Sequence, residues 1–432
     1  MSDTFVEVPA TSAATKSVWR WIPTLYFGQG IPYVAVMIVS VILYKNMGVS
    51  NTDIALYTSW LYLPFVIKPL WSPFVDMFRT KRWWIVWLEL LIGAAFALVA
   101  LTIPGDNFFR MTLAIFWLLA FSAATHDIAS DGFYMLGLKQ HEQAAYVGIR
   151  STFFRLSMIT GQGGLVYLAG KLTTITGNVT MAWSIVFYLL GALFASLFVY
   201  HHIMLPRPVN DVAKLDEGQI GKTFVAIFAK FLKKKEIGTV LAFLLLYRFA
   251  EAQLVKIAPV FLLDKMDKGG LGLSTEHVGL LYGTIGVAAL TVGGLLSAYL
   301  ISRQGMKRWL WIMALAINVP NGVYIYLAMV QPTDIFLIGT LVAAEQLGYG
   351  FGFTAYVLFM IMTATGEHQT AHYAICTGFM ALGMMLPGMA SGWLQTEMGY
   401  ANFFIWVCVA TIPSFFVTGL IKLDPAFGTK RD

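Results

Sequence analysis

The densest set of ionisable residues within an apolar stretch is His126-Asp127-Ile128-Ala129-Ser130-Asp131-Gly132. Asp127 and Asp131 are four residues apart, so on a helix they share one face, about one turn from each other. Two carboxylates that close raise each other's proton affinity, and withdrawal from water raises it further. Such a pair can take up and release a proton near neutral pH. The same two acids can instead lock neighbouring helices as ion pairs, with Arg150 or Arg155 as partner. A chain that changes conformation can use both roles.

Other charges interrupt apolar runs. Arg150 reads as an edge charge, whereas Arg155 lies about 7 Å deeper at 1.5 Å per residue. Arg155 therefore pairs with an aspartate or holds an anionic ligand. Arg248 and Glu251 are three residues apart and can neutralise each other on one face, with substrate contact as the other reading. Lys256 is placed to snorkel toward the nearer interface. Glu345-Gln346 stands among Gly348, Gly350 and Gly352 with no basic neighbour in sequence, which makes Glu345 a site or coupling candidate. Lys68 precedes Pro69, and Lys68 with Glu89 is expected to form a structural bridge. Gln29 and Tyr33 belong to Phe27-Gly-Gln-Gly-Ile-Pro-Tyr33, whose Gly and Pro either bend a helix at a cavity or allow close packing. Intramembrane charges are expensive unless paired or wet, so each of these is a functional candidate.

The elements that must carry them follow from composition. The 432 residues are 58% hydrophobic and only 12% charged, where soluble domains have roughly 45–50% and about 25%. So little charge cannot cover a soluble globule of this size. About 20 apolar residues cross a bilayer as a helix. Apolar runs fall near 18–44, 54–75, 84–103, 111–138, 149–170, 180–204, 237–262, 276–301, 309–329, 335–362, 372–396 and 402–422. The expectation is an all-α membrane protein of about twelve transmembrane helices, kept as a monomer among lipid. A first apolar run this long is an uncleaved insertion signal rather than a signal peptide.

The net charge of +6 marks topology, not nucleic acid. Twenty of the 29 basic residues fall on one side of these spans and five on the other, which puts both termini and the central loop in the cytoplasm. Cys376 and Cys408 lie in apolar runs, without metal-ligand spacing. No nucleotide-binding motif is present, and no cofactor is implied. The longest polar break, 205–236, separates a six-helix bundle at 1–204 from another at 237–432. Lys81-Arg82-Trp83, after Asp76 and Arg79, recurs as Lys307-Arg308-Trp309, 226 residues on. Two six-span halves related as parallel repeats, each with a basic turn after its second span, are the pattern of a major facilitator transporter. Glu345 follows Asp127 by 218 residues, near the same offset, so a midplane site between the halves would have both in reach.

Four stretches carry a closer likeness: Tyr26-Phe-Gly-Gln-Gly-Ile-Pro32, Leu63-Pro-Phe-Val-Ile-Lys68-Pro-Leu-Trp71-Ser-Pro73-Phe-Val-Asp76, His126-Asp127-Ile-Ala-Ser-Asp131-Gly132 and Glu345-Gln-Leu-Gly-Tyr-Gly350-Phe-Gly352. On these the chain resembles the AmpG-type permeases, the muropeptide branch of the peptide–acetyl-coenzyme A transporter family. The resemblance implies proton-driven uptake of anhydromuramic sugar–peptides across a bacterial inner membrane, and a need for Asp127 and Asp131. His126 stands where these permeases usually have Gln, and enterobacterial members carry two further C-terminal spans.

Proton coupling is accordingly expected of Asp127, Asp131 and Glu345. Substrate contact is expected of Gln29, Tyr33, His126, Arg155, Arg248, Glu251 and Gln346, and gating or structural work of Lys68, Asp76, Arg79 and Glu89. A siderophore or oligosaccharide importer is the alternative within the class. A membrane-embedded transferase using His126 and Asp127 is the alternative outside it, and two comparable halves argue against it.

Overall fold

The apolar runs become helices, and the computed structural model describes residues 18–138, 140–212, 220–364 and 369–423. Lys16, Lys139, Lys214, Lys430 and Arg431, part of the charge count above, lie outside the described residues. No strand occurs among the described residues.

Among the described residues eight helices are long and apolar enough to cross a membrane, Gly399 divides the last of them in two, and three broken helices complete a set of twelve. In the first half they are α1 (Val18–Asn46), α2 (Asn51–Trp60 and Leu63–Met77), α3 (Lys81–Thr102), α4 (Phe108–Gly137), α5 (Gln140–Met158, Ile159–Leu165 and Val166–Thr176) and α6 (Val179–Met204). The second half has α7 (Ile237–Leu246 and Phe249–Leu263), α8 (Thr275–Gln304), α9 (Met306–Val330), α10 (Ile335–Thr363), α11 (369–398) and α12 (400–420). Gly399, at φ 74°, separates the last two, a conformation that favours glycine. A further helix, Ile220–Leu232, lies within the stretch between the halves.

The interruptions have local causes. Pro32 has no N–H to give, and the ladder widens to a π-turn at Ala35–Val39. The α2 break precedes Pro64, which suits the first turn of the helix that restarts there. Gly-rich π-turns sit in α5 (Ile159–Leu165) and α8 (Gly279–Gly286).

Those two π-turns face each other. A Cβ on Gly283 would lie 2.1 Å from the Gln162 carbonyl oxygen, and one on Gly170 would lie 2.2 Å from the Glu276 amide nitrogen. The backbones touch where no side chain fits. An equivalent contact joins α11 to α2, where a Cβ on Gly392 would come 2.1 Å from the Asn51 carbonyl. Lipid gives helices no hydrophobic reason to associate, so small residues and interhelical hydrogen bonds do that work.

Polar contacts then seal the halves together where α1 and α7 end and α2 and α12 begin. Lys45 pairs with Asp264 at 2.7 Å, and Asp264 also accepts from Tyr400 at 2.5 Å and from Asn51 at 3.3 Å. Asn51 donates to Gln395 at 2.6 Å, and Thr275 donates to Asn46 at 2.8 Å. Lys256 was expected to snorkel, but it is only 2% exposed. Its ammonium donates across the interface to Thr58 at 2.9 Å and lies 5.2 Å from the Tyr62 ring centroid. Its helix is pressed against the other half, so the stem cannot run out to an interface.

Candidate functional site

Asp127 and Asp131 lie on one face of α4, as the four-residue spacing requires, and each meets a basic side chain. Asp127 accepts from Lys68 of α2 and from the Gln29 amide of α1. Arg150 of α5 pairs with Asp131 at 2.7 Å, and the Tyr26 hydroxyl donates to the same carboxylate at 3.5 Å. The Arg150 guanidinium also lies over the Tyr26 ring, 4.6 Å from its centroid. Arg150 and Asp131 keep 31% and 37% of their side-chain surface, and Lys68 and Asp127 keep 18% and 23%. These ion pairs keep part of their surface exposed, so they can open without stranding a fully buried charge.

One expectation is corrected here, and one open alternative is resolved. Lys68 does not bridge Glu89, because its segment of α2 packs on α4 and brings the ammonium to Asp127. Arg150, not Arg155, is the partner of the aspartate pair. Five residues turn a helix by about 140° beyond a full turn. Arg155 therefore faces the second half, donating to the Thr291 carbonyl at 3.4 Å. Tyr33 stacks edge-on against Phe65 at 5.4 Å and lies near Phe154. Arg79 lies over Trp83 at 5.7 Å, and the Asp76 side chain is outside the described residues.

In the second half Arg248 occupies the break of α7. It donates to the Tyr349 hydroxyl and lies 4.8 Å from the Phe353 ring centroid. No Arg248–Glu251 bridge forms among the described residues, and one Glu251 oxygen has no hydrogen-bond partner. Glu345 accepts from Gln346 at 2.9 Å and from Tyr324 at 3.5 Å and is 2% exposed. It sits inside the second bundle and does not join the aspartates. The second half thus offers an arginine on an aromatic bed and two buried carboxyls.

His126 was expected at the substrate, and the structure turns it the other way. Its Nε2 lies 3.6 Å from Glu89 Oε1, and its Nδ1 lies 3.3 Å from Ser130 Oγ. His201 of α6 approaches the same Glu89 oxygen at 2.6 Å. Adjacent residues on a helix point about 100° apart, so Asp127 and His126 cannot share a partner. The residue that the sequence reading missed is His201, in the last turn of α6. Among the described residues, no three His, Cys, Asp or Glu side chains are grouped as a metal site.

At the seal, Asp264 follows the last turn of α7. Burial pushes its carboxyl up, but hydrogen bonds from Lys45, Tyr400 and Asn51 outweigh that and hold it below the ordinary carboxylate value.

The sequence profile of the Major Facilitator Superfamily matches residues 24–365. The chain belongs to the Major Facilitator Superfamily. The family supports a membrane transporter of a small molecule, built from two helical halves. The chain is 25% identical over 406 residues to the anhydromuropeptide permease of Escherichia coli K12, covering 92% of this chain and 77% of that one. It is 24% identical over 410 residues to the putative transporter AmpG 4 of Rickettsia conorii, covering 90% and 92%. The likeness to AmpG-type permeases therefore runs along nearly the whole transporter. The fold is similar to that of the nucleoside transporter NupG, with a TM-score of 0.66 at 16% identity over 93% of this chain and 98% of that one. It is also similar to a D-xylose–proton symporter, with a TM-score of 0.67 at 12% identity over 92% and 95%.

Proposed function

We propose that this transporter imports peptidoglycan-derived anhydromuropeptides across a bacterial inner membrane, coupled to protons, with both termini in the cytoplasm. The observation that carries the coupling is the pair of partly exposed ion pairs, Lys68–Asp127 and Arg150–Asp131, on one face of α4. The substrate class rests on the 25% identity to the anhydromuropeptide permease over 92% of the chain.

The chemistry follows from the pairing. A proton on Asp127 cancels its charge and frees the Lys68 ammonium, which then attracts a carboxylate of the substrate peptide. When that carboxylate leaves, Lys68 favours the ionised form of Asp127 and expels the proton. Proton and anion are thus bound and lost together. Arg248, on its bed of Tyr349 and Phe353, supplies a second forked donor, and Gln29, Tyr33 and Gln346 serve the sugar hydroxyls. In this reading the face closed by Lys45 and Asp264 is the periplasmic one, and the aspartates exchange protons with the cytoplasm. Glu251 and Glu345 remain as further proton holders.

Uptake into proteoliposomes under an imposed pH gradient tests this, with anhydromuropeptide, a siderophore and a chitin-type oligosaccharide as rival substrates. Accumulation of the muropeptide alone, lost in Asp127→Asn and Asp131→Asn, is the expected result. Gradient-driven uptake of another substrate only would overturn the substrate assignment, and unimpaired accumulation by both variants would overturn the coupling site.

A further inference from the structure

Glu89 is a membrane-buried carboxylate with two imidazoles on one oxygen. His201 Nδ1 lies 2.6 Å from Oε1 and His126 Nε2 lies 3.6 Å from it, and all three side chains are no more than 1% exposed. A buried carboxylate is costly unless a positive charge accompanies it. Among the described residues the titratable groups facing Glu89 are these two rings, from α4 and α6, with the Tyr200 ring 5.5 Å from that of His201. From α1 it meets Thr24, through His201, and Gly28, whose Cβ would lie 3.8 Å from Oε1. Asp127, next to His126, turns away to Lys68 and Gln29.

We propose that Glu89, His126 and His201 form a second proton-binding site, separate from the ion pairs of Asp127 and Asp131. The hydrogen bonds restrict the arrangements to a few, taking neutral His126 to carry its hydrogen on Nδ1, toward Ser130. A nitrogen and a carboxylate oxygen 2.6 Å apart must have one proton between them. Thr24 has one hydroxyl hydrogen and two neighbours for it, the Trp21 carbonyl at 3.2 Å and His201 Nε2 at 2.9 Å. When it goes to His201, Nε2 is bare and the Glu89–His201 pair carries one negative charge. When it goes to Trp21, Nε2 must carry its own proton and the pair is neutral. Rotation of one hydroxyl therefore accompanies uptake of one proton. His126 Nε2, which has no hydrogen-bond partner within normal range, is the alternative seat for that proton. A low-dielectric interior favours the neutral cluster, with one proton shared between the two rings.

The site stands back to back with the aspartates. Gly28 packs on Glu89 while Gln29 holds Asp127, and His126 faces Glu89 while Asp127 faces Lys68. Any rotation of α4 that opens the Asp127 pairs also changes the 3.6 Å approach of His126 to Glu89. Proton occupancy of the buried cluster is thereby tied to the state of the exposed one.

The test is a titration that needs no substrate, so it stands even if the muropeptide assignment fails. The purified full-length protein, labelled with ¹⁵N-histidine in detergent, is followed by NMR from pH 5 to 9, with His126→Gln and His201→Gln assigning the two rings. Both rings should exchange between states in the wild type. Glu89→Gln removes the negative charge and should lower their proton affinity at least tenfold. His201→Gln keeps neutral hydrogen bonds to Thr24 and Glu89 while removing the competing ring, so His126 should bind its proton at least tenfold more tightly. That variant carries the test if Glu89→Gln does not fold. Where uptake is measurable, the midpoint of its pH profile should move with the ring titrations, which a purely structural cluster would not cause. Rings that keep one protonation state from pH 5 to 9 would overturn the proposal. So would rings that titrate within twofold of wild type in the variants.

Discussion

Replacing Asp264 by Asn should open the sealed face. Asp264 gathers three donors there, Lys45 at 2.7 Å, Tyr400 at 2.5 Å and Asn51 at 3.3 Å, with 11% of its side chain exposed. An Asn can still accept from Tyr400 and Asn51 through its carbonyl oxygen. What it loses is the charge-assisted bond to Lys45, worth roughly 1.5–3 kcal/mol in a mostly buried pair. Because Lys45 belongs to one half and Asp264 to the other, this energy bears on the equilibrium between sealed and open states. The shift toward the open state is then about 10- to 150-fold. Ser59 reports on it well. It is fully buried on α2, eight residues and about 12 Å deeper than Asn51. With Cys376 and Cys408 replaced, Ser59→Cys is labelled by a membrane-impermeant thiol reagent, whose rate follows the open fraction. Asp264→Asn should raise that rate by the stated factor. Lys45→Met should raise it at least as much, because it leaves the acid unpaired, and the double variant should fall below the sum of the two. A rate within about twofold of wild type in Asp264→Asn would refute the idea that this ion pair holds the seal.

The same pair predicts a pH dependence. The folded-state carboxyl of Asp264 is depressed, so its contribution to the seal is present above the ordinary carboxylate value. It is lost as the pH falls through the lowered value, and Ser59→Cys labelling should accelerate only in that acidic window. Gly283→Ala should separate α5 from α8, since its Cβ would lie 2.1 Å from the Gln162 carbonyl oxygen. Overpacking of this kind costs about 1–3 kcal/mol, and the thermal unfolding midpoint in detergent should drop, an unchanged midpoint arguing against the contact. Lys256→Met removes a buried ammonium whose partners are a hydroxyl and a ring face, so stability should hold or rise while transport slows. A midpoint lowered by several degrees would contradict this. Arg248→Lys loses the fork and the aromatic bed and should weaken muropeptide binding about 10- to 150-fold, whereas Arg155→Lys should change it little. Competition binding separates the two, and equal losses would return Arg155 to the substrate site.

Chain-local physics made much of this protein legible. The length of each apolar run is a property of consecutive residues, so the twelve crossings could be read before any packing was known. The four-residue step from Asp127 to Asp131 fixed a shared helix face, because helical pitch is the same in every helix. Pro32 marked a real irregularity, for the same local reason, whereas the π-turns of α5 and α8 were not read from the sequence.

Partnership between helices was not legible, because it depends on the rotation of each helix about its axis and on which neighbours it meets. Lys68 lies near both Asp127 and Glu89 in any reading of depth, and only the packing of α2 on α4 chose Asp127. Arg150 displaced Arg155 as the partner of Asp131 by about 140° of rotation. His126 left the substrate face because its neighbour Asp127 already occupied it, and found Glu89 and a histidine 75 residues further along the chain. The seal of Lys45, Asn51, Asp264 and Tyr400 joins residues as much as 355 positions apart. The sequence by itself determined which charges interrupt the apolar runs. The tertiary structure decided which of them meet, because one turn of rotation about an axis is invisible in a string of residues and decisive for a bond about 3 Å long.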